Sequence, residues 1–319
     1  EDFPEWHERD LADMVRRDRN HPSIVMWSIG NEIDYPNDPY CHPLFETMTG
    51  NNDANKPAKE RQYDPNKPNA EQLSVIAKEL AAIVRTQDTT RPVTLAAAFP
   101  ELSSHIGFFD ALDVVGYNYK EHLYEESHKR FPDKPFLGSE NGGGYEQWCA
   151  VRDNAYISGQ FLWTGIDYLG EANWPQRSAG CGCLDTCGFE KDAFYFYKSV
   201  WNQNEKFAYL CPHWNLKLEK GTVLPVICYT NCEDAELFVN GRSFGMKSKG
   251  FPCYGMTERY GHFDRYRRPA NTDDLFLSWD VPYEPGKIEV VGYHDGKEVC
   301  RYNVETTGEA AAIKLTVDK

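Results

Sequence analysis

Hydrophobic and polar positions along the first two thirds of the chain follow two alternating periods. In residues 5–19, Leu11, Met14 and Val15 fall on one face among charged neighbours, with Pro4 near the start, and this spacing predicts an amphipathic helix. Ile24, Val25, Met26 and Trp27 follow without a polar break, so 23–29 reads as a strand covered on both faces. Beyond a loop rich in Asn, Lys and Pro (50–69), Leu73, Ile76, Ala77, Leu80, Ile83 and Val84 recur at helical spacing. Further buried strands are expected at 91–98, 112–119, 134–140 and 159–167, with a charged helical piece at 121–130. Helix and strand in this rhythm predict parallel strands joined by crossover helices.

Near residue 205 the pattern changes. TVLPVICYTN, AELFVNG, LFLSWDV and KIEVVGYHDGKEVCRYNVE alternate with period two, and Asn-Gly, Pro-Gly and Asp-Gly turns separate them. The expected second domain is therefore a small antiparallel sandwich of the immunoglobulin-like size, about a hundred residues. The domain division read from the sequence is 1–204 and 205–319.

Charge narrows the partners. Lys and Arg number 34 against 49 Asp and Glu, and the net charge of −15 argues against nucleic acid or an anionic membrane surface. No stretch approaches the roughly 18 apolar residues of a membrane span, and no charged-then-apolar leader opens the chain. Ten cysteines are scattered, which suits buried thiols in a reducing compartment and leans toward a cytoplasmic location, with pairing in an oxidising one, periplasmic or secreted, left open. Cys181, Cys183 and Cys187 have C-x-C-x3-C spacing, but structural zinc sites usually show two tight pairs, and no metal is expected. The 8 Trp and 19 Tyr offer faces that suit the C–H faces of sugars, although most such rings fill a core.

Two of the expected strands end in glutamate: WSIGNE at Glu32 and FLGSE at Glu140. Active sites of parallel sheets lie on this rim. Five strands fit either an open doubly wound sheet or part of an eight-stranded barrel, and no Gly-rich phosphate loop follows any of them. In a barrel the two carboxylates would face one another across the mouth, which is the equipment of glycoside hydrolysis. Asn31 adds a sugar hydrogen-bonder, Tyr119 a phenol able to hold a carboxylate, and Trp163 a stacking platform. Each also has an ordinary structural use, as turn former, capped core residue and core filler.

The segment MVRRDRNHPSIVMWSIGNE (14–32) resembles the signature that leads to the acid/base of glycoside hydrolase family 2, the family of β-galactosidases, β-glucuronidases and β-mannosidases. The similarity continues through DVVGYNY, KPFLGSE, FLWTGIDYLGE and GFEKDAFYFYKSVW into LCPHWN and WDVPYEPGKIEVVGY, and so covers essentially the whole chain. It implies a (β/α)8 TIM barrel, here strands four to eight, followed by an immunoglobulin-like sandwich. Matched residue by residue, it implies Glu32 as acid/base, Glu140 as nucleophile, Asn31 on the sugar 2-hydroxyl, Tyr119 hydrogen-bonded to the nucleophile, and Trp163 as the aromatic ending the eighth strand. The implied chemistry is retaining hydrolysis of a β-linked carbohydrate. Glucuronide-specific members carry an Asn-x-Lys pair after the eighth strand. Here ANWPQRSAGCGCLDTCGF (172–189) has Asn173 and Arg177 without that pair, which favours a galactoside.

The chain departs from the family in one large respect, since it begins at the helix before the fourth barrel strand. The expectation is a fragment or one half of a split enzyme, with the missing N-terminal part of the barrel as a partner and a homo-oligomer left open. No cofactor is expected. The Mg²⁺ of some galactosidases uses a glutamate and a histidine upstream of this segment. The alternative of another class is an inactive fragment that only binds carbohydrate or a partner.

Overall fold

A computed structural model describes residues 2–34, 40–47, 62–248 and 276–316. The expected loop 50–69 falls largely outside them. The chain divides into two compact units, 1–164 and 165–319.

The first unit runs α1 (Phe3–Asp18), β1 (Trp27–Asn31), α2 (Glu71–Gln87), β2 (Val93–Ala97), α3 (Pro100–Ser103), β3 (Val115–Asn118), α4 (Tyr124–Arg130), β4 (Phe136–Asn141), α5 (Tyr145–Arg152) and β5 (Ile157–Leu162). Its five strands pair in parallel in the order β1-β2-β3-β4-β5. This is the expected β/α rhythm, with β1 and β5 as outer strands among the described residues. The periodic face of α2 supplies Leu73, Ala77, Leu80 and Val84 to a core shared with Val93, Leu95, Val115, Tyr117 and Phe136 of the sheet. Side chains of a strand alternate between faces. Val115 and Tyr117 therefore enter that core, while Gly116 and Asn118 point to the other side of the sheet.

The first strand lies later than its hydrophobic run suggested. Val25 is 60% exposed, and pairing with β2 begins only when Trp27 N–H donates to Pro92 O at 3.0 Å. The residues before it are spent on a turn, in which His21 N–H reaches Asp18 O and Ile24 N–H reaches His21 O. Arg91 Nε then takes Ile24 O at 2.8 Å, leaving that carbonyl no place in a ladder. The strand expected at 159–167 likewise stops early, at Leu162.

The second unit begins with the hairpin β6 (Tyr168–Leu169) and β7 (Ser178–Ala179) and the helix α6 (Asp192–Trp201). It continues with β8 (Ala208–Cys211), β9 (Val223–Thr230), β10 (Asp234–Val239), β11 (Arg242–Ser248), β12 (Leu277–Pro282), β13 (Lys287–His294) and β14 (Lys297–Glu305). A four-stranded sheet, β11-β10-β13-β14, and a three-stranded one, β12-β9-β8, enclose Trp214, Leu237, Trp279, Ile288 and Val290. All ladders in this sandwich are antiparallel. The Asn240-Gly241 and Asp295-Gly296 turns have positive φ at both residues, as two-residue hairpins of this twist require. Segment 165–204, read with the barrel from sequence, lies in this unit. Its helix carries Tyr195, stacked 3.6 Å from Tyr209, and Phe196, 5.9 Å from Tyr229. No described helix is long and apolar enough to cross a membrane.

Candidate active site

Both carboxylate-bearing strands carry one extra residue just before the glutamate. Between β1 and β2 the register runs Ser28↔Thr94 and then Asn31↔Ala96. Between β3 and β4 it runs Tyr117↔Gly138 and then Asn118↔Glu140. An extra residue of this kind bends a strand and re-aims the side chains that follow. Glu32 then leaves β1 at φ 54°, with its N–H held by Ala96 O at 2.8 Å. Tyr119 leaves β3 in the same way, also at φ 54°, its N–H held by Glu140 O at 2.9 Å. Left-handed backbone is rare for such residues and concentrates at functional sites.

These bends converge on one side chain that the sequence reading did not select. Asn118 Nδ2 donates to Asn31 Oδ1 at 2.9 Å and lies 3.2 Å from Glu32 Oε1 and 3.1 Å from Glu140 Oε2. Its orientation is fixed from the other end, since Ser139 Oγ donates to Asn118 Oδ1 at 2.8 Å. Tyr119 OH completes the grip on Glu140 by donating to Oε1 at 2.8 Å. Asn118 is buried, whereas Glu32 and Glu140 are half-buried and Asn31 is exposed, so the carboxylates stand at the border between sheet interior and solvent. The available signal for Asn118 was a polar residue closing an otherwise apolar strand, next to the tyrosine already chosen.

Trp163 follows β5 directly. Its N–H donates to Asn141 O at 3.0 Å, which ties it to the residue after Glu140, and its side chain is 43% exposed. The Trp163–Thr164 peptide is cis. The structure thus brings Asn31, Glu32, Tyr119 and Glu140 into one hydrogen-bonded set around Asn118 and joins Trp163 to it through the backbone.

A buried carboxylate supports the set from below. Asp34, two residues after Glu32, accepts Ala98 N–H and Phe99 N–H at 3.0 Å each and Ser103 Oγ at 2.6 Å. Burial pushes its carboxyl up, and those three donors pull the other way. The loop leaving β2 is thereby pinned to the loop leaving β1.

The residues of C-x-C-x3-C spacing, Cys181, Cys183 and Cys187, do not gather into a metal-holding group. Among the described residues one such group exists, Glu233, His294 and Asp295 in the second unit. In the loop read for substrate choice, the Arg177 guanidinium lies over the Trp174 ring, 5.4 Å from its centroid.

Two glutamates held on one amide at the ends of parallel strands define the class by its architecture: a β/α domain with a paired-carboxylate rim. The model of the glycosyl hydrolases family 2 TIM barrel domain matches residues 2–166, and a domain of unknown function (DUF4982) matches 221–300. The chain belongs to glycosyl hydrolase family 2. The beta-galactosidase BoGH2A of Bacteroides ovatus is 34% identical over 99% of this chain and 40% of its own length. A beta-glucuronidase of Bacteroides fragilis is 23% identical over 76% of this chain and 36% of its own. The crystal structure of a family 2 member from Bacteroides cellulosilyticus superposes with a TM-score of 0.73 at 30% identity, covering 99% of this chain and 38% of that one. The chain thus spans about two fifths of the length of these relatives.

Proposed function

We propose that this chain carries the catalytic pair of a retaining β-glycosidase that hydrolyses terminal β-galactosides. The observation that carries the reading is the shared amide of Asn118. With one oxygen of Glu32 at 3.2 Å and one of Glu140 at 3.1 Å from the same nitrogen, the two oxygens cannot be farther apart than those lengths laid end to end. Two carboxylates that share one amide nitrogen in this way favour the close spacing of about 5–5.5 Å used by retaining enzymes over the roughly 6.5–9.5 Å that inverting enzymes keep open for a water.

In this reading Glu140, ionised and held by Tyr119 and Asn118, attacks the anomeric carbon while Glu32 protonates the departing oxygen. Glu32 then takes a proton from water as that water releases the sugar from Glu140. Asn31 meets the 2-hydroxyl, and Trp163 offers its exposed face to the sugar ring. These steps use side chains and water and call for no cofactor. The remaining pocket walls would come from barrel segments outside this chain, since β1 and β5 are outer strands of the described sheet.

A second reading, a β-glucuronidase, rests on Arg177 as a cation in the loop after the last strand and on the relatives that bear beta-glucuronidase names. The galactoside is favoured because that cation is engaged by Trp174 and the Asn-x-Lys pair is lacking. The test is release of 4-nitrophenol from the β-galactoside and the β-glucuronide, by the chain alone and by the chain supplied with the N-terminal part of a family 2 barrel. A 2-fluoro galactoside should then leave its sugar covalently on the Glu140 peptide, and Glu140→Gln should abolish both signals. Saturable sugar binding with no product in any mixture would instead support the binding-fragment reading.

A further inference from the structure

The second unit contains a pair of thiols that the proposed chemistry does not use. Cys232, buried in the crossover from β9 to β10, and Cys300, half-buried on β14, stand with their sulfurs 3.5 Å apart. The two sulfurs are not bonded to one another in this structure. They meet because Gly292 of β13 lies opposite Cys300 of β14 and opposite Ala235 of β10, which leaves a hole in the sheet surface. A Cβ on Gly292 would sit 2.6 Å from Cys300 Sγ and 2.7 Å from Cys232 Sγ, so no other residue admits both sulfurs without a shift. The ladder between β13 and β14 also changes register just after Gly292. Cys232 is fixed by its N–H to Thr230 Oγ1 at 3.0 Å, and its Sγ faces Phe207 O at 3.8 Å.

We propose that Cys232 and Cys300 form a disulfide-bonding site, closed by thiol–disulfide exchange with a small-molecule disulfide such as oxidised glutathione. The thiolate of Cys300, the more accessible of the two, attacks one sulfur of the glutathione disulfide, whose S–S bond breaks and expels one glutathione thiolate. The thiolate of Cys232 then attacks the Cys300 sulfur of the mixed disulfide and expels the second. The two protein thiols lose two electrons and two protons, and one glutathione disulfide becomes two glutathione thiols. Closing the bond brings the sulfurs to about 2.05 Å, a movement within reach of side-chain rotation. The product ties β14, the last strand of its sheet, to the crossover between the two sheets, and so restricts the unfolded chain across a long loop.

The hydrogen bond shared with Cys232, and after it burial, push the Cys300 thiol up. Exchange should therefore be slow at neutral pH and accelerate as the pH rises.

The full chain is incubated with oxidised glutathione or with dithiothreitol, alkylated and mapped by mass spectrometry without reduction. The expected product links the Cys232 and Cys300 peptides, weighs about two mass units less than the dithiol, and melts several degrees higher than the reduced chain, a gain that dithiothreitol reverses. Cys300→Ser and Cys232→Ser should each remove the link and the gain. If Cys232→Ser does not fold, Cys300→Ser at the half-buried position decides alone. Alkylation of both thiols to the same extent after either treatment, or links confined to other cysteines, would overturn the proposal.

Discussion

Glu32 and Tyr119 leave their strands in the same left-handed backbone conformation, with φ of 54° at each. Each is held there by its N–H on a neighbouring strand, Glu32 on Ala96 O and Tyr119 on Glu140 O. The cost of the unusual backbone is offset by a fixed direction for each side chain. Tyr119→Phe keeps ring and turn and removes the 2.8 Å bond to Glu140 Oε1. It should lower kcat by about 10- to 100-fold with KM nearly unchanged, as expected for one donor to a reacting carboxylate. Steady-state kinetics on an aryl galactoside in the assembled barrel measure this, and an unchanged kcat would remove Tyr119 from the proposed machinery.

Asn118 is expected to matter more than Tyr119, because one nitrogen serves both carboxylates and Asn31. Asn118→Ala should lower kcat by roughly 100-fold or more, near 2.7 kcal/mol of barrier. Asn118→Asp, which matches it in size, should be worse. It places a third carboxylate between two others, and like charges at this range disfavour joint ionisation. The acid limb of its pH–rate profile should therefore move to higher pH. A profile superposable on that of the parent would count against the shared amide as an organiser of the pair.

How much of this was legible in the chain varied with the physics behind each feature. The helical period of Leu73, Ala77, Leu80 and Val84 and the Asn240-Gly241 and Asp295-Gly296 turns came through because they depend on local spacing and backbone preference. Glu32 and Glu140 stood out as carboxylates ending apolar runs. The true start of β1 did not, because Ile24 and Val25 are apolar residues that follow the turn at 22–23 outside the ladder, with Ile24 O held by Arg91 from far along the chain. Asn118 stayed hidden for a related reason. Its role depends on an extra residue in each of two non-neighbouring strands, and such register shifts leave no period in the sequence. The segment 165–204 follows the barrel pattern in order, but the stacking of Tyr195 on Tyr209 is a long-range fact.

Asp88 gives a prediction for acid. Buried at the end of α2, it accepts Thr90 Oγ1 at 2.6 Å, Trp27 Nε1 at 3.0 Å and Thr90 N–H at 2.8 Å, and pairs with Arg91 at 2.6 Å. The Thr90 hydroxyl first, then the Trp27 indole and the Thr90 amide, hold its carboxyl well below the usual range. A group lowered in the folded state adds stability above its unfolded value and loses it as pH falls through the folded one. Its contribution should thus be complete at neutral pH and begin to disappear below about pH 4. Asp88→Asn should cost on the order of 2 kcal/mol at pH 7, and the gap to the parent should narrow toward pH 3. Urea midpoints at the two pH values test this. A gap that widens in acid would contradict the assignment.

Gly116 links the fold to the carboxylates most directly. It lies on β3 two residues before Asn118, and a Cβ there would stand 2.4 Å from the backbone oxygen of Leu95 and 2.9 Å from Ser139 Oγ. The first contact cannot be relieved by rotating a side chain, because it is with the neighbouring strand itself. The second presses on the hydroxyl that holds Asn118 Oδ1. Gly116→Ala should therefore destabilise the first unit by about 2–3 kcal/mol, the usual scale for overpacking a close-packed interior. It should also lower kcat beyond what the lost stability explains, since Asn118 would turn away from Glu32 and Glu140. Gly142→Ala, at a position with open space around its Cβ, is the control and should leave thermal stability nearly unchanged. Equal melting temperatures for the two variants would show that β2 and β3 can separate freely, and the close approach of Leu95 to Gly116 would then not be what sets the site.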